Sequence, residues 1–294
     1  MVGYRIVKIN KRCKLETSME YLVYRAEEEY RILLDEISVL IIENQQVCIT
    51  AALMSKLMDH KVRVVFCNDA HMPQGEVEPY AGCYDTPSKI KIQFNWNPIV
   101  CDEVWSKIIK YKIHNQAQVL KLKGDEKAFN LLKDYEYDIH RGDSTNREGL
   151  AAKSYFFSLF GLDFERRKES DVRNIYLNYG YSLLLSLVSK EIASFGYLNA
   201  FGIHHIGTTN HYNLACDFVE PLRPFVDIML VRNELTPDNF KRQFMNMLTS
   251  EVRIDDKNML LNNAVRDYVL SILTALKTED PNLILRITFK DGTL

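Results

Sequence analysis

The sequence predicts an α+β chain: a small β-sandwich-like N-terminal domain with one helix, a linker, and a larger all-α C-terminal domain. Up to about residue 70 it is dense in β-branched and aromatic runs, and residues 71–98 gather four of the eight prolines. Beyond Pro98 the apolar residues recur every three or four positions, the period of a helix with one buried face. A length of 294 residues exceeds what one hydrophobic core usually fills, which agrees with two domains.

In the N-terminal domain, residues 1–70, the runs YRIVKI, YLVYRA, YRILL, SVLIIEN and VRVVFC read as strands. Between the last two, Thr50 to Lys61 has its apolar residues at helical spacing and supplies the one helix. The linker, residues 71–98, carries Pro73, Pro79, Pro87 and Pro98 with Gly75 and Gly82, which favour extended and turn geometry. In the C-terminal domain, residues 99–294, Trp105, Ile109, Ile113, Ala117 and Leu120 step along one helical face. Arg173 to Phe195 is apolar on nearly every side in its second half, as suits the central helix of a bundle. Thr236 before Pro237 marks a further helix start, and Asn258 to Lys277 the last long helix.

With 37 basic against 39 acidic residues, the net charge of −2 gives no whole-molecule attraction to nucleic acid or to an anionic membrane. Any DNA binding would have to come from local patches or a bound metal. No apolar run is long enough to span a bilayer and residues 1–14 do not read as a signal peptide, so the expectation is a cytoplasmic protein without membrane association. The six cysteines form no CxxC pair and no disulfide-scaffold spacing, and are expected reduced.

Three segments of the C-terminal domain carry candidate chemistry. In STNREG (Ser144–Gly149), Thr145 and Glu148 fit a capping box. In GIHHIGTTNH (Gly202–His211) lie three of the seven histidines, and on an extended backbone His204 and His205 point to opposite sides. In DFVEPLRPFVD, Asp217 and Glu220 share a face if helical, while Pro221 and Pro224 favour a helix start or kink beside Glu220. Taken singly, these residues also suit caps, dipole partners or core. Together they offer an imidazole and two or three carboxylates, donors that suit Mg²⁺ or Mn²⁺ better than zinc.

These segments resemble the integrase of CRISPR adaptation, the first of the CRISPR-associated proteins, in its type II-like form. NREG with the following small-residue and aromatic helix (Asn146–Phe160), GIHH ending on His205, and NLACDFVEPLRPFVD (Asn213–Asp227) carry the resemblance. The spacings of 12 residues from His205 to Asp217 and 15 to Glu220 are similar too. The resemblance implies Glu148, His205 and Glu220 as catalytic metal ligands, Asp217 as a supporting acid, and Mg²⁺ or Mn²⁺ as cofactor. His204 and His211 have no counterpart in it.

The implied reaction is transesterification: the 3′-hydroxyl of a short duplex attacks a phosphodiester at the edge of a CRISPR repeat, inserting a new spacer for antiviral defence. The implied partners are double-stranded DNA, a second copy of the chain, and the small second CRISPR-associated protein, with two integrase dimers bridged by one companion dimer. The type II effector nuclease and an accessory ring protein follow from the same resemblance. Lys11, Arg12 and Lys14, with Lys8, form one candidate phosphate patch, Lys107, Lys110 and Lys112 a second, and Arg223 lies beside the acids. Residues 282–294, with the apolar stretch Leu283 to Phe289, are expected to dock on a neighbouring surface. Two alternatives stand beside this reading: a structure-selective DNA nuclease with water as nucleophile, and a non-catalytic DNA-binding scaffold.

Overall fold

The computed structural model describes residues 5–69, 71–77, 85–168, 170–232 and 235–290. Pro79, Gly82, Cys83 and the last four residues lie outside them. The chain divides into two compact units, Met1–Thr86 and Pro87–Leu294.

The first unit contains β1 (Arg5–Ile9), β2 (Lys14–Ser18), β3 (Tyr21–Arg25), β4 (Glu29–Leu33), β5 (Ile37–Ile42), β6 (Cys48–Ile49), α1 (Ala51–Asp59), β7 (Arg63–Cys67) and β8 (Pro73–Val77). One sheet runs β1-β5-β7-β8 and the other β4-β3-β2-β6. In β5 (ISVLII) all six residues are buried, because it pairs in parallel with β1 and β7 and both its faces are covered. A single core draws Ile9, Leu15, Leu22, Leu40 and Val64 from both sheets and Leu53 and Leu57 from α1. Thr50 starts α1, its hydroxyl accepting from the Leu53 N–H.

Part of the expected linker is structured. β8 pairs antiparallel with β7 at the sheet edge, where proline removes no interior ladder bond, and α2 (Thr86–Phe94) follows. Turn-forming residues dominate the composition there and hide both elements.

The second unit holds α3 (Pro98–Lys123), α4 (Glu126–Tyr137), α5 (Arg147–Phe160), α6 (Val172–Ser194), α7 (Asn213–Val219), α8 (Arg223–Arg232), α9 (Phe240–Leu248), β9 (Glu251–Ile254), β10 (Lys257–Leu260), α10 (Leu261–Thr278) and β11 (Ile287–Phe289). Asn97 caps α3 through its side chain, Pro98 fills the first turn, and Gly124 ends it at φ 80°. Trp105, Ile109, Ile113, Ala117 and Leu120 are all buried, and α6 is buried on most sides from Tyr176 to Ile192.

Helices dominate this unit, as expected, but it also carries a small sheet, β10-β9-β11, that an all-α reading omits. Asp255 and Asp256 turn β9 into β10, so the last long helix starts at Leu261 rather than Asn258. Thr236 and Pro237 open a turn, and α9 begins four residues later than Thr236. The C-terminal segment folds back on its own chain: β11 pairs with β9, and Phe289 packs on Phe225 with ring centroids 4.4 Å apart. Among the described residues no helix is long and apolar enough to cross a membrane.

Candidate active site

Glu148 sits in the first turn of α5, and its backbone explains why its side chain is free for other work. Thr145 is not the cap. Asp143 accepts the N–H groups of Arg147 (2.8 Å) and Glu148 (2.9 Å), and Asn146, left-handed at φ 53°, accepts that of Gly149 (3.2 Å). These acceptors satisfy the orphan donors of the helix start, so no capping box needs Glu148. Gly149 is required by the same cap, because a Cβ there would stand 2.6 Å from the Asn146 side-chain oxygen.

His205 lies on the loop between α6 and α7, which is folded around Asp217 of α7. The fully buried Asp217 carboxylate accepts from the backbone N–H of Ile203 (2.7 Å), His204 (3.2 Å) and His205 (3.0 Å), and from His205 Nδ1 at 2.6 Å. Donation from Nδ1 leaves Nε2 as the nitrogen able to bind a metal. The hydrogen bond to Asp217, with the charges of Asp217, Glu220 and Glu148, holds the imidazole pKa above its ordinary value against partial burial. Proton and metal therefore compete for Nε2.

The loop needs Gly202, where a Cβ would lie 2.4 Å from the His205 carbonyl oxygen. Because Asp217 bends the backbone, His204 and His205 do not diverge as on an extended chain. His204 stacks flat on Trp105 (4.0 Å, 6°) and His205 meets the same indole edge-on (5.8 Å, 88°). His211 is exposed.

Glu220 begins a 3-10 turn (Glu220–Leu222) between α7 and α8, and the backbone stays right-handed helical across it, so the two prolines do not end the helical path. Its carboxylate is 4% exposed and meets two cations: Arg223 Nη2 lies 2.9 Å from Oε1 and Lys112 Nζ 2.6 Å from Oε2. Lys112 Nζ also stands 2.6 Å from Glu148 Oε1. Burial pushes the Glu220 carboxyl up, but Arg223 and Lys112 outweigh it and hold the pKa below the usual range. Likewise burial pulls Lys112 down, and Glu220 and Glu148 reverse the effect. Behind this cluster, buried Asp227 accepts from the hydroxyls of Tyr155 (2.9 Å) and Tyr181, tying α8 to α5 and α6. Its pKa is pushed up to about 6, chiefly by burial.

The structure thus brings Glu148 and Glu220 to one ammonium, with Asp217-held His205 close enough to feel both charges. Among the described residues no three His, Cys, Asp or Glu side chains are placed to hold a metal ion as they stand. The donor set nevertheless fits Mg²⁺ or Mn²⁺: two carboxylates and one imidazole, with Glu220 Oε2 buried in ion contact but without an aligned hydrogen bond.

The expected DNA contacts are dispersed. Lys11 and Arg12 are exposed between β1 and β2, while Lys14 pairs with Glu16 (2.7 Å) and Lys8 with Glu43 (3.4 Å). Lys110 is exposed and Lys107 donates to the Pro281 carbonyl (2.9 Å). Lys112 is no surface cation but part of the site. It falls three residues after Ile109 and seven after Trp105, on the apolar stripe of α3, and a charge on such a stripe calls for a buried partner. Trp105 and the two tyrosines on Asp227 read in the sequence as core alone, and carry no signal of their contact with the site.

The family described as CRISPR associated protein Cas1 matches residues 7–259. A protein of Neisseria meningitidis serogroup C (strain 8013), named CRISPR-associated endonuclease Cas1, is 33% identical over 260 residues, covering 86% of this chain and 85% of that protein. Among solved structures, a casposase bound to integration product has a TM-score of 0.73 at 20% identity, covering 94% of this chain and 91% of that one. A chain of a Cas6-RT-Cas1–Cas2 complex has a TM-score of 0.72 at 18% identity, covering 99% of this chain, which spans 36% of that longer one. At these identities the two structures speak for the fold alone.

Proposed function

Because the chain belongs to the CRISPR associated protein Cas1 family, we propose that it is a metal-dependent DNA integrase of CRISPR adaptation, joining the 3′-hydroxyl ends of short duplexes into a CRISPR repeat. The observation that carries this reading is the meeting of Glu148 and Glu220 at one point beside a histidine whose free nitrogen is fixed by a buried aspartate. Held by Glu148, His205 Nε2 and Glu220, Mg²⁺ or Mn²⁺ would stabilise charge on a phosphoryl oxygen and activate the attacking hydroxyl.

The chain's own residues supply orientation and charge. Asp217 fixes both the imidazole and the backbone that bears it. Arg223, about a third exposed, neutralises Glu220 and presents a cation to an approaching phosphate. Exposed Lys11 and Arg12 serve as phosphate contacts that set the DNA path without reading its sequence. The proposed partners are double-stranded DNA, a second copy of this chain and a Cas2-like companion, the last in keeping with the Cas6-RT-Cas1–Cas2 complex, part of one chain of which has this fold. The bridged arrangement of two integrase dimers, and work beside a type II effector nuclease and ring protein, extend the same proposal.

A second reading has support in the name of the Neisseria relative, an endonuclease: the same site with water as nucleophile cuts DNA. One assay separates them. A duplex with 3′-hydroxyl ends and a repeat-bearing supercoiled plasmid are incubated with the protein, its companion and Mg²⁺ or Mn²⁺. Integration gives a covalently joined product that disappears with chelator and falls at least ~10²-fold in Glu148→Gln. Cleavage without any joined product would leave the nuclease reading, and joining unaffected by chelator and by Glu148→Gln would refute a metal site built on Glu148.

A further inference from the structure

Lys112 is the only buried lysine among the described residues, and its ammonium is the only group that touches both Glu148 and Glu220 there. It approaches from α3, whereas the carboxylates come from the first turn of α5 and from the turn between α7 and α8. An ion held by the same two oxygens would lie about 2.1 Å from each. With Nζ 2.6 Å from both, the ammonium already engages the two oxygens that such an ion would need.

Charge leads to the same exclusion. Lys112 and Arg223 balance Glu148 and Glu220. With the Asp217 carboxylate counted as well, a divalent ion added with Lys112 still in place would leave the site net positive beside the buried Glu220.

We infer that Lys112 is the resident cation of the metal-free site: its ammonium holds the Glu148 and Glu220 carboxylates facing one another and leaves the space between them when a divalent ion enters. Lysine and metal are then mutually exclusive occupants, and Lys112 sets metal affinity without being a ligand. The inference rests on the proposal that Glu148, His205 and Glu220 hold the metal. Removing the ammonium while keeping the length and apolar stem of the side chain, as in Lys112→Met, removes the competitor. It also leaves two carboxylates close together without their shared cation, which destabilises the metal-free protein and favours metal.

The test is Mn²⁺ titration of the full chain, with free ion read by electron paramagnetic resonance, for wild type, Lys112→Met and Glu220→Gln. Lys112→Met should bind Mn²⁺ about tenfold more tightly or better, and its melting temperature in chelator should fall and recover with Mn²⁺ by more than that of wild type. Glu220→Gln should bind more weakly. Unchanged or weaker binding by Lys112→Met, with Glu220→Gln weakened, would overturn the role of Lys112 and leave the metal site standing. Absence of Mn²⁺ binding in both wild type and Lys112→Met would overturn the metal site and the inference together.

If Lys112→Met does not fold, amine acylation of wild type followed by mass spectrometry decides. Mn²⁺ should raise labelling of Lys112 severalfold as it loses both carboxylates, and unchanged labelling at saturating Mn²⁺ would overturn the inference.

Discussion

The Asp217 carboxylate receives four hydrogen bonds, three from successive backbone N–H groups and one from the ring of His205. One buried side chain therefore sets both the path of the loop and the nitrogen that His205 presents. Asp227 shows a different use of burial. The tyrosine hydroxyls that donate to its oxygens favour the charged form, but burial outweighs them and pushes the pKa up to about 6, so Asp227 stays protonated in the fold at a pH where the unfolded chain has released the proton. Its contribution is complete below about pH 4 and is lost as pH rises through about 6. Denaturant melts of wild type and Asp227→Asn should accordingly show the wild type losing up to ~3 kcal/mol relative to the variant between about pH 4 and pH 7. A difference that stays constant over that window contradicts the account of Asp227. Neither role was legible residue by residue, since an aspartate three before Glu220 and another seven after it look alike in sequence.

Among the elements, the start of α5 shows how a motif divides its labour. In NREG the asparagine and glycine build the cap, and the glutamate is left to face Lys112. Asn146→Ala should cost about 1–2 kcal/mol in denaturant melts, from the lost cap together with a left-handed position that alanine tolerates poorly. A loss below a few tenths would show that Asp143 alone caps the helix. Periodicity revealed α3 and α6 because their apolar residues repeat over many turns, and the strand runs of the first unit were equally plain. The same signals missed β8, where turn-forming residues dominate the composition, and β10, whose four residues precede α10 without a break. The Asp255–Asp256 pair, with Asp255 at φ 44°, was the available sign of that hairpin. Lys112 was legible too, as a charge on the buried stripe of α3, and was misread because its neighbours Lys107 and Lys110 suggested a surface patch.

Over the whole molecule, net charge near zero means that DNA is held by few cations, each of which should matter. Replacing Lys11 and Arg12 together with alanine should weaken duplex binding across sequences and flatten the salt dependence of log K by roughly two. An unchanged slope would remove both from the DNA path. The order of β-rich and helical parts came from composition and period, whereas the convergence of segments 57 and 72 residues apart on Glu148 could come only from resemblance or from coordinates. Everything proposed for the chemistry depends on a divalent ion binding where those segments meet. The most direct measurement is the anomalous scattering of Mn²⁺ in crystals of the protein: the account predicts a peak within about 2.3 Å of Glu148, His205 Nε2 and Glu220. A peak bound elsewhere, or none at saturating Mn²⁺, would contradict it.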